Sequence, residues 1–138
     1  MVVGWCAVVI LIQPIVVTAE NPFKSANMDR GSISLVFEKT KKPVYNDIRT
    51  VFKANGRFDE IIQSINKEFI FPNNITAKFA DEDGPLYDPG KREVVMSYSF
   101  VFYLASLYME RYPKATDDEM INFSERATIF LFYHEIAH

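Results

Sequence analysis

Apolar and polar positions first alternate between Ser32 and Glu38, where Ile33, Leu35 and Phe37 fall on one side and Ser34 and Val36 on the other, as in a half-buried strand. From Val44 to Ala54 the period changes. Val44, Ile48, Val51 and Phe52 recur at helical spacing, and Asn55-Gly56 follows as a left-handed stop. Phe58, Ile61, Ile62, Ile65 and Phe69 repeat that spacing and predict a second amphipathic helix, ended at Pro72-Asn73-Asn74. Alternation returns over Ile75 to Ala80, with Ile75, Ala77 and Phe79 on one face. Past an acidic loop at 81 to 85, Asp88-Pro89-Gly90-Lys91 places Pro and Gly where a type II turn wants them. The β-rich run from Glu93 to Tyr98 completes a hairpin. Phe100 to Tyr112 reads as helix, stopped by Pro113. Thr116 and Glu119 match a capping box and open the last helix. From Ala127 to Tyr133 that helix is apolar on nearly every side, which predicts a central buried helix. The expected class is α+β, with a small antiparallel or mixed sheet around that helix.

Composition narrows the picture. A chain of 138 residues, 49% hydrophobic, has material for one core, assigned here to residues 32–138. A net charge of -3, with Lys and Arg scattered and no basic run interleaved with aromatics, points away from nucleic acid as a partner. Residues 1–19 carry no charged side chain and read as a signal peptide cleaved after Ala19. An uncleaved membrane anchor is the alternative, and the membrane is a partner only in that case. Residues 20–31, polar with Pro22 and Gly31, read as a linker. Cys6 is the one cysteine, so a mature chain without cysteine fits a periplasmic or secreted bacterial protein.

Chemistry is named by one stretch, His134-Glu135-Ile136-Ala137-His138, which spells H-E-x-x-H and holds both histidines of the chain. Residues four apart share a helix face, so two neutral imidazoles can close on one zinc ion. Glu135 lies about 100° around the helix, beside the metal, where its carboxylate can serve as general base towards a water. A catalytic zinc takes three protein ligands, and no further His exists, so the third is expected beyond residue 138 and the chain reads as C-terminally incomplete. Asp81, Glu82, Asp83 and Asp88 are conceivable oxygen ligands, although Asp-Glu-Asp-Gly-Pro is ordinary turn chemistry. The Lys39 to Lys42 cluster reads as a solvated loop. Tyr87, Tyr98 and Tyr133 are candidate oxyanion donors whose more ordinary role is packing.

Leu35-Val36-Phe37-Glu38, the helix pair after it, Tyr87-Asp88-Pro89 with Arg92, Ser97-Tyr98 and the apolar lead into His134–His138 together resemble a family of zincin-like zinc metallopeptidases. Its members are mostly exported bacterial proteins, and the resemblance covers about residues 33 to 138. It departs before the turn, where Gly84-Pro85-Leu86 replaces an Asn-Ala-like pair after Gly. The resemblance implies zinc on His134 and His138, Glu135 as the catalytic carboxylate and a peptide or protein substrate. It also implies that the strand beside the active helix, 78 to 87 or 93 to 98, lines the cleft. The competing expectation is a non-catalytic exported binding protein or a degenerate metallopeptidase.

Overall fold

Four strands and four helices form the fold, in a computed structural model that describes residues 30–138. The expected signal or anchor segment 1–19, with Cys6, and nearly all of the 20–31 linker lie outside the described residues. β1 (Ile33–Phe37) leads through α1 (Pro43–Asn55) and α2 (Arg57–Glu68) to β2 (Ile75–Ala80), which lies parallel to it with Ile33 opposite Ile75. β3 (Leu86–Asp88) and β4 (Glu93–Ser97) form the hairpin, and the spatial order is β1-β2-β4-β3, with β4 parallel to β2 and β3 antiparallel at the edge. α3 (Tyr98–Arg111) and α4 (Asp117–Ile136) complete the chain. The sheet is mixed and the class is α+β. Among the described residues no helix is long and apolar enough to cross a membrane.

Gly56 ends α1 at φ 66, a left-handed conformation that costs glycine nothing, and at once caps α2. The sharp corner puts Phe58 beneath Phe52, their rings stacked at 5.8 Å, and edge-on to Phe79 of β2 at 4.8 Å. Phe58 is wholly buried and also meets Phe132 of α4 edge-on at 6.0 Å, so one side chain joins both helix layers to the sheet. Phe58→Ala is therefore expected to cost about 3–5 kcal/mol of unfolding free energy, read from urea denaturation.

β2 forms where its alternation places it, and Ala77 through Ala80 are buried on both faces in a strand with a neighbour on each side. Lys78 lies on the second face of the sheet, bonded to Glu82 at 3.0 Å and to Glu93 at 3.2 Å. The bond to Glu82 holds its ammonium above the ordinary lysine value, against the lowering effect of burial. The hairpin loop is not the type II turn read from Pro89-Gly90. Asp88 Oδ1 accepts from the Gly90 and Lys91 N–H groups, and the left-handed residue is Arg92 at φ 56, where the loop rejoins β4. α3 begins at Tyr98, two residues earlier than its pattern indicated. Tyr98 is buried, and its hydroxyl donates to the Glu38 carbonyl at 2.9 Å. Burial pushes that phenol up to about 12.

α4 opens with the expected capping box. Thr116 Oγ1 accepts from the Glu119 N–H at 3.3 Å, and Glu119 accepts from the Thr116 N–H at 2.8 Å. Thr116→Ala should lower stability by about 1 kcal/mol in denaturant titrations. The Thr116 N–H, and then its hydroxyl, hold Glu119 below the usual carboxylate value. A lowered folded value stabilises above the unfolded pKa, about 4.3, and that contribution fades as the pH falls through the lower folded one. The later part of α4 is buried along one stripe only: Ser124, Glu125, Thr128 and Phe132 are buried, whereas Phe130 is 72% exposed. Apolar sequence on nearly every side suggests burial all round; α3, the sheet and the α1–α2 corner pack against α4, and Phe130 is left facing outward.

Candidate metal centre

Nine residues separate Glu125 from His134, about 900° of helix, so the histidine lies opposite the buried stripe. His134 and His138 are accordingly exposed, while Glu135 at the margin is half-buried. The helix proper ends at Ile136, and the Ala137 N–H is shared between the carbonyls of Tyr133 and His134, both at 3.2 Å. His138 thus stands just past the last helical residue. Its ring nevertheless returns to that of His134: the two Nε2 atoms are 3.3 Å apart and the rings are perpendicular.

That separation is a test of fit. Two nitrogens each about 2.0–2.1 Å from a tetrahedral zinc stand about 3.3–3.4 Å apart. The separation of the pair equals that spacing. Glu135 enters no ion pair among the described residues, so its carboxylate is available to a substrate or a water. No group of three or more His, Cys, Asp or Glu side chains suited to a metal occurs among the described residues.

The profile of a protein family described as "Putative metallopeptidase" matches residues 37–138, from the end of β1 to the second histidine. This chain belongs to that family. No curated protein and no solved structure matches it. Membership of a metallopeptidase family implies a metal.

The remaining candidates sort themselves by their partners. Asp81 bonds Thr40 and Lys42, Glu82 bonds Lys78, and Asp88 closes the hairpin loop, so these acids serve the loops they stand in. Lys42 also lies 4.7 Å over the Tyr45 ring, at the start of α1. Tyr98 is committed to Glu38, Tyr87 packs against the core from β3, and Tyr133 is exposed next to Phe132. Of the two stretches expected along a cleft, 93 to 98 has no free edge, since β4 pairs with β2 on one side and β3 on the other. β3 is the edge strand, and α4 packs against it and β4. A cavity of about 490 Å³ lies elsewhere, between α1, α3 and the first half of α4, lined by Ile48, Val101, Met109 and Ile121 among others. Ile121 is roughly 20 Å along the helix from His134.

The sequence reading passed over Glu125. It is wholly buried, with Arg57 Nη1 at 3.0 Å and Asn55 Nδ2 at 3.4 Å from each carboxylate oxygen. The only signal was a charge recurring at the spacing of a buried stripe, with Thr128 and Phe132.

Proposed function

We propose that this protein is a zinc-dependent peptidase in which His134 and His138 hold the metal and Glu135 is the general base. The observation that carries the reading is the 3.3 Å separation of the two Nε2 atoms, taken with membership of a metallopeptidase family. When bound, zinc supplies a water acidified towards neutral pH and a Lewis acid for the scissile carbonyl. Glu135 takes a proton from the attacking water as oxygen adds to the carbonyl carbon. The same carboxylic acid then gives that proton to the departing amide nitrogen as the C–N bond breaks, so the carboxylate is regenerated. An extended peptide laid along the outer edge of β3 would run beside α4. We further propose that the protein acts after export, in the periplasm or outside the cell, consistent with the uncharged segment 1–19.

Hydrolysis of an unstructured protein tests the reading. Cleavage should stop on chelation and return when zinc is restored to about one equivalent per chain. Zinc uptake without any turnover would favour the degenerate metallopeptidase instead.

A further inference from the structure

The histidine face of α4 is oriented by whatever grips the opposite face. At the α1–α2 corner Arg57 reaches Asn122 at 3.2 Å and Glu125 at 3.0 Å, while Asn55 donates towards both Glu125 oxygens. Phe58, the next residue, meets Phe132. Asn122 to Phe132 spans about 15 Å of helix, so one corner of the chain holds α4 at both ends of its buried stripe. The two ends differ in kind. Packing of Phe132 against Phe58 tolerates a small rotation or slip, since dispersion and burial are not directional. A wholly buried carboxylate whose partners are the Arg57 guanidinium and the Asn55 amide loses them if the helix turns. Burying it is also costly, and apolar residues of the same size would serve stability as well.

We infer that Glu125, clamped by Arg57 and Asn55, is a positioning residue that fixes the rotation of α4 and so aims His134, Glu135 and His138. It touches neither metal nor substrate; it acts through the helix. The inference rests on the zinc-peptidase reading for its consequence, and on the ion pair alone for its geometry.

Two measurements on the whole protein decide it. Glu125→Gln should weaken zinc affinity, read by competition with a chromophoric chelator, about tenfold, the low end of what losing a support for a metal ligand costs. Arg57→Lys, which keeps the charge but shortens the reach of the nitrogen that meets both Glu125 and Asn122, should weaken it in the same direction by less. Ile65→Val, a core change on α2 outside the Arg57–Asn55–Glu125 cluster that should lower the melting temperature, should leave zinc affinity unmoved. In metal-free protein, amide exchange over Tyr133–Ile136 should quicken in Glu125→Gln and stay at the parent rate in Ile65→Val. Folded Glu125→Gln with parental zinc affinity overturns the inference. If that variant does not fold, Arg57→Lys decides, and parental affinity there overturns it. If the parent itself takes up no zinc, the peptidase reading fails separately, and unchanged exchange in the variants overturns the clamp on its own.

Discussion

Glu135→Gln is expected to keep its zinc and lose its hydrolysis. The glutamine amide has the shape of the carboxylate but cannot take a proton, so general-base assistance, typically 10²–10⁴-fold, should vanish from kcat. Metal affinity should hold, because the donor nitrogens belong to His134 and His138. Glu135 is half-buried and enters no ion pair among the described residues, so the substitution removes no contact on which folding depends. Zinc content, circular dichroism and cleavage measured on one preparation would separate the roles. Retained cleavage would transfer the base to another residue.

His138→Ala should have the largest effect on the metal. Structural zinc sites of four ligands bind with about 10–16 kcal/mol, or roughly 3 kcal/mol per ligand, so losing one imidazole should weaken binding a hundredfold or more. The fold should not notice. His138 is exposed and takes no part in the core. An unchanged melting temperature with lost zinc is the expected pair of results. Loss of both together would mean that the metal, or the histidine contact itself, supports the helix end.

Much of this fold is written in local chemistry. The Asn55-Gly56 corner, the Thr116–Glu119 box and the alternations of β1 and β2 each depend on residues close in sequence, and each forms where its pattern places it. What depends on distant residues was harder to read. Lys78 is buried because β1 and β4 flank its strand and Glu82 and Glu93 meet its ammonium, which no period within Ile75–Ala80 encodes. The loop before β4 was misread because Asp88, rather than Gly90, organises it, and Arg92 takes the left-handed conformation. α4 looked apolar all round, yet it is covered only where α3, the sheet and Phe58 pack against it, and Phe130 faces outward.

The candidate site divides in the same way. His134, Glu135 and His138 were legible because the metal's demand for two imidazoles on one helix face is a local spacing. Glu125 was not, because its partners Asn55 and Arg57 lie some seventy residues earlier and meet it only once the corner has folded.

The central claim is that this histidine pair is the zinc site of a peptidase. X-ray absorption at the zinc edge of the loaded protein tests this most directly. About one zinc per chain with at least two imidazole nitrogens at about 2.0–2.1 Å is expected. Zinc held by oxygen alone, or no stoichiometric zinc, would contradict it.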